Sequence, residues 1–188
     1  MRIGKKRAGV TTIIRFLTAK MPQMENDSSN SITSSAWTVL YYEVEMFLGT
    51  RHLIKNLTCG DLQTARLLNN ALLECSLLHT RILADIFLSR NRNRYPDDIS
   101  LDDLGIEIDG RCKNLVNSLE EAYGNGKTKN SKCWIINKML AHPSNYRSDK
   151  FNYAEVFEAL DGPIIALIKE IFSLSDRIIP FNLPETKD

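Results

Sequence analysis

The chain has 188 residues and a mass of 21.4 kDa, enough for one domain with a sizeable core. Hydrophobic residues make up 43% and charged residues 25%, the proportions of an ordinary soluble protein, and no apolar run is long enough to cross a membrane. The net charge is +1, but residues 1–30 hold six basic side chains against two acidic ones (+4), which leaves −3 for the rest; a body of that sign has no general attraction for nucleic acid, so any such binding needs a local patch.

The N-terminal segment opens with MRIGKKR and continues as AGVTTIIRFLTAK. It imitates a signal peptide, but Arg15 interrupts the apolar part and no small-residue cleavage site follows. Residues 1–32 read as a basic, loosely ordered arm, 33–178 as the folded domain and 179–188 as an irregular tail. The four cysteines form no Cys-x-x-Cys pair and lack companion histidines at zinc spacing, so they read as reduced thiols of a cytoplasmic protein, with no metal and no cofactor implied.

Trp37, Tyr41, Val44, Leu48 and His52 recur at helical spacing and predict a first helix over 34–57, with Arg51, His52 and Lys55 at the negative end of its dipole. A break at 58–60 turns the chain into the longest predicted helix, 61–90, with Asp61 as N-cap, and the two lie antiparallel. On that second helix Leu68, Leu72, Cys75, His79, Leu83 and Ile86 share one side, while Asn70, Glu74, Arg81 and Asp85 form a narrow polar stripe. The stripe is either a solvent face with an Arg81–Asp85 pair or an internal Glu74–Arg81 pair that orients a site. His79, on the apolar side, is either a hydrogen-bonded core group or a member of such a site.

The strip from 96 to 109 is rich in aspartate and fits no calcium-loop spacing, so it reads as an acidic solvated loop. A helix over 110–123 follows, then YGNGKTKNS, whose Gly126-Lys127-Thr128 only resembles the end of a phosphate loop because the earlier glycine of that motif is absent. Lys127, Lys129 and Lys132 of this stretch are candidates to touch a phosphate backbone. Ser131 opens a short helix stopped by Pro143, which places Asn137, Lys138 and His142 near one another at its end. The last helix covers 153–176 and is expected to kink or split at Gly162-Pro163. The fold class is therefore all-α, an up-and-down bundle of two long antiparallel helices with shorter C-terminal ones.

Two stretches, LLECSLLHTRILADIF and IINKMLAHPSNYR, carry a resemblance to the HEPN superfamily (higher eukaryotes and prokaryotes nucleotide-binding) that spans about Ser34 to Asp176. Many members are ribonucleases of toxin–antitoxin, antiphage or RNA-processing systems, often dimers with paired motifs facing one another. The resemblance implies a site built on an arginine, four to six intervening residues and a histidine. His142 matches the histidine; Asn137 stands where the arginine is expected, followed by Lys138. Metal-independent cleavage by a 2′-hydroxyl needs a proton carrier with a near-neutral pKa and a cation over the developing phosphorane. His142 suits the first role, and Lys138, Arg147 or Arg81 the second, with His79 and Glu74 as supporting candidates. Two functions follow as expectations: an RNA-directed protein, either cleaving or only binding, and a non-catalytic helical interaction module of a defence or regulatory system. RNA and a second copy of the chain are the expected partners, and no membrane.

Overall fold

The computed structural model describes residues 31–89, 98–141 and 152–181. These form α1 (Ser31–Asn56), α2 (Leu62–Phe87), a 3-10 turn (Leu101–Leu104), α3 (Gly110–Tyr123), α4 (Lys132–Ala141) and α5 (Tyr153–Leu174), with no strand among them. Residues 1–30 of the predicted arm, most of the predicted tail, His142 and Arg147 lie outside the described residues; Ser31 and Ile32, assigned to the arm by the sequence, begin α1 instead.

Helices α1 and α2 pack along one another as an antiparallel pair, α5 lies against α2, and α3 covers α5, while α4 closes the side of α2. The core follows the apolar periodicities. Trp37, Leu40, Val44 and Phe47 of α1 meet Leu77, Leu83, Ala84 and Phe87 of α2 and Ile164, Ile168, Ile171 and Phe172 of α5 in one buried cluster. Helix α5 runs through Pro163 as a single element, so the chain is not split there.

The long helix departs from its predicted pattern in one respect. Its buried residues, from Ser76 onward, all fall in the C-terminal half. Leu68 is 39% exposed and Leu67 64%, whereas a continuous apolar side would turn Leu68 inward. The acidic strip is also corrected. Leu101 and Leu104 are buried in the 3-10 turn, where the amide and hydroxyl of Ser100 donate to Asp103 Oδ2, and Asp109 Oδ1 accepts from the Cys112 amide to start α3. Two of its carboxylates therefore cap backbone.

Asp61 caps α2 as predicted, its Oδ2 accepting from the Thr64 amide at 2.7 Å. Hydrogen bonds from Thr64, by side chain and then backbone, hold the Asp61 carboxyl below the usual carboxylate range. A folded pKa below the unfolded one stabilises above the unfolded value, and the gain is lost as pH falls through the folded value. Asp61→Ala is expected to lower the melting temperature near neutral pH. The gap to wild type closes in acid, and thermal scans across pH 2 to 7, the span of carboxylate titration, check this. A gap that stays constant with pH rules the charge out.

Candidate functional site

Helix α3 stops at Gly124, whose φ of 68° is the left-handed conformation; a Cβ there would also come within 2.8 Å of Ser131 Cβ, so glycine is required. The following loop folds back on α4. Ser131 Oγ donates to Asn125 O at 2.5 Å and accepts from the Trp134 amide at 3.1 Å, which makes Ser131 both the tie of the loop and the cap of the helix. The Lys127 amide donates to Asn125 Oδ1 at 2.9 Å. Gly126 then sits so close to α4 that a Cβ would be 3.3 Å from both Asn137 Nδ2 and Cys133 Sγ.

Around that contact several of the predicted residues gather. Asn137 Nδ2 donates to Cys133 Sγ at 3.6 Å, and Asn137 Oδ1 is buried with no hydrogen-bond partner among the described residues. Tyr123 is fully buried and hydrogen-bonds Cys133; its phenol is pushed well above the ordinary range by burial first, then by Asp85 and Cys133, while Arg81 opposes the shift. Those couplings place Arg81 and Asp85 of α2 beside Tyr123 of α3 and Cys133 of α4. Arg81 Nε is 3.6 Å from Asp85 Oδ2, the pair predicted by spacing, and Glu74 is exposed on the same side, so the solvent-face reading of the stripe fits. Lys127 and Lys129 are exposed on the loop, Lys132 is half-buried at the start of α4, and Lys138 is half-buried with its Nζ 5.8 Å from the Trp134 ring. The Asn137–Cys133 contact thus lies between the loop that bears Lys127 and Lys129 and the helix that bears Lys132 and Lys138, with Arg81 of α2 near Tyr123.

His79 does not join this group. It lies two residues before Arg81, about 200° around the helix. Its Nδ1 is 2.6 Å from Glu43 Oε2, with both side chains buried, and its ring meets Tyr42 edge-on at 5.8 Å. A carboxylate at that distance fixes the proton on Nδ1. His79 is therefore the hydrogen-bonded core group of the two alternatives. It faces α1, which takes it out of a supporting role beside α4.

A second buried polar centre was not anticipated. Arg51, which in sequence reads as a helix-end charge, is 8% exposed. Its Nε and Nη2 donate to the Asp161 carboxylate at 2.9–3.1 Å, and Nη2 also donates to Thr80 Oγ1 at 3.0 Å. The guanidinium carbon lies 3.5 Å from the Phe157 ring centroid and 4.9 Å from that of Phe47. The signal is present in the sequence: Trp37, Leu40, Val44, Phe47 and Arg51 fall at alternating steps of three and four, so the arginine continues the buried stripe.

Among the described residues no three His, Cys, Asp or Glu side chains are placed to hold a metal, and no helix is long and apolar enough to cross a membrane. No family model, curated protein or solved structure matches the chain.

Proposed function

We propose that the chain is an RNA-directed helical protein whose site lies at the C-terminal end of α4, with the loop 125–131 as its phosphate-facing rim. The observation that carries this reading is the fold-back of the loop through Gly126 onto Asn137, which brings the segment that bears Lys127 and Lys129 against the helix that bears Lys132 and Lys138, in a body that is otherwise slightly acidic. A local basic patch is what such a body needs to attract a phosphate backbone. In the cleaving form of the reading, His142 moves the proton, and Arg81 or Lys138 offsets charge on the phosphorane. Arg81 is the better donor because its planar guanidinium makes two parallel hydrogen bonds where an ammonium acts as a point charge. Arg147 is a further cation in the same reading.

The test is incubation of a mixed RNA pool with wild type and His142→Ala at low salt, with and without EDTA. Cleavage that survives EDTA and disappears in the variant supports a metal-independent ribonuclease. Binding without cleavage supports the binder, and Lys127→Glu with Lys129→Glu is then expected to weaken it and to reduce the log–log salt slope by about 0.7 for each phosphate that is no longer neutralised. Failure to bind or cut any RNA at low salt removes the reading.

A non-catalytic interaction module is the second reading. Leu62 and Leu67, 86% and 64% exposed in the first turns of α2, favour it. A homodimer through that end predicts concentration-dependent sedimentation that Leu67→Asp abolishes, and a strict monomer counts against it.

A further inference from the structure

The Arg51 centre offers more hydrogen bonds than the described residues use. Nε and Nη2 of the guanidinium donate to Asp161 and Thr80 Oγ1, whereas Nη1 is buried with no hydrogen-bond partner among the described residues. Ser76 is in the same situation. It is 0% exposed, and its Oγ is likewise buried without a partner among them.

This serine departs from a habit of the chain. Thr38, Thr50, Thr80 and Ser118 each return the hydroxyl to the carbonyl four residues earlier, at 2.7–3.0 Å. Ser76 makes no such bond to Leu72 O, so its hydroxyl is turned elsewhere. The two unpaired groups belong to one place. Arg51 Nη2 donates to Thr80 Oγ1, that hydroxyl donates to Ser76 O at 2.7 Å, and Ser76 lies one turn before Thr80 on the same side of α2. Arg51 therefore rests on the Ser76–Thr80 turn, and Nη1 shares its carbon with the Nη2 that makes the contact.

We propose that this centre, where α1, α2 and α5 meet, binds one water molecule between Arg51 Nη1 and Ser76 Oγ. The chemistry of the ligand follows from what is already paired. Asp161 matches the guanidinium charge, so an anion would add an unmatched charge beside Phe47 and Phe157. A cation is repelled by Arg51, and an apolar occupant would leave both polar groups unpaired. Water is neutral, accepts from Nη1, and donates to or accepts from the serine hydroxyl. It exchanges with solvent past Asp161, which is 28% exposed. Being uncharged, it leaves the counter-charge of Arg51 to Asp161.

The first test is a crystal structure of the full wild-type chain with ordered solvent resolved. The proposal predicts a solvent peak within about 2.7–3.2 Å of both Arg51 Nη1 and Ser76 Oγ. Two results overturn it: a Ser76 hydroxyl bonded to Leu72 O with no peak beside Nη1, or a protein atom of any segment hydrogen-bonded to Nη1. A peak that bromide replaces on soaking is an anion and overturns it as well. The second test is oxygen-17 relaxation dispersion of water in solution, which counts waters held longer than the protein takes to tumble. Ser76→Val removes the hydroxyl and fills its space, and is expected to lower the count by about one relative to wild type. Equal counts in the two proteins overturn the proposal. The crystal test needs no variant, so it decides the matter even where the valine protein does not fold.

Discussion

Asp161→Ala is expected to lower the unfolding free energy by about 3–5 kcal/mol, because it strands a buried guanidinium. Arg51 cannot readily turn to water: its side chain is 10% exposed and is held between Phe47 and Phe157. Burial already depresses its pKa, and the hydrogen bonds and charge of Asp161 are what oppose that effect. Removing the carboxylate leaves Thr80 as the remaining hydrogen-bond acceptor for the guanidinium. The reverse change is milder. Asp161 is 28% exposed, so in Arg51→Met its carboxylate gains hydration and the thioether fills the space between the rings. The double variant Arg51→Met, Asp161→Leu is expected to fall within about 1 kcal/mol of wild type, since a buried ion pair gains little over a well-packed apolar pair. Urea unfolding of wild type, Arg51→Met, Asp161→Leu and the double variant closes the cycle and gives the coupling. A loss of less than about 1 kcal/mol for Asp161→Ala would mean that Arg51 reaches solvent after all.

The same pair shows what can be read in a sequence and what cannot. That Arg51 continues the stripe of Trp37, Leu40, Val44 and Phe47 is visible, and Asp161 stands likewise among Phe157, Ile164 and Ile168. Their pairing is not, because the two lie 110 residues apart and only the packing of α1 against α5 brings them together. Local signals held well. Asp61 caps its helix, Arg81 pairs with Asp85, and the glycines after Tyr123 stop α3. The Ser100–Asp103 capping box was equally local, but the density of aspartates around it hid the pattern Ser-x-x-Asp beside buried leucines. Leu68 failed for a different reason: periodicity gives the orientation of a face but not how far along it the neighbours extend. At the candidate site, the closeness of Lys127, Lys129 and Lys132 to α4 was readable from chain proximity. The roles of Tyr123 and Cys133 were not, since an apolar helix position gives no hint that its hydroxyl or thiol joins α3 to α4.

Trp37 makes the other large prediction. Its indole is buried between the start of α1, the 3-10 turn and α5: Nε1 donates to Leu104 O at 2.9 Å, Phe172 meets the ring edge-on at 5.5 Å, and the Arg177 guanidinium lies 4.4 Å over it. Trp37→Ala opens a large cavity at the junction of three elements and is expected to cost about 3–5 kcal/mol. A domain of ordinary stability, about 5–15 kcal/mol, would lose much of its margin. Trp37→Phe separates the two contributions. It keeps an aromatic ring for Phe172 but deprives the Leu104 carbonyl of its donor at a buried position, with an expected cost of about 1–3 kcal/mol. The two variants differ also in where the damage appears. Gly105, in the left-handed conformation just after Leu104, packs against the Thr33 side chain, so the turn and the first turns of α1 are held together at this point. Hydrogen exchange of Trp37→Phe is expected to quicken first in residues 101–105 and around Thr33, with α2 and α5 protected as in wild type. Uniform loss of protection would instead make the indole a part of the global core and assign little to its bond with the turn.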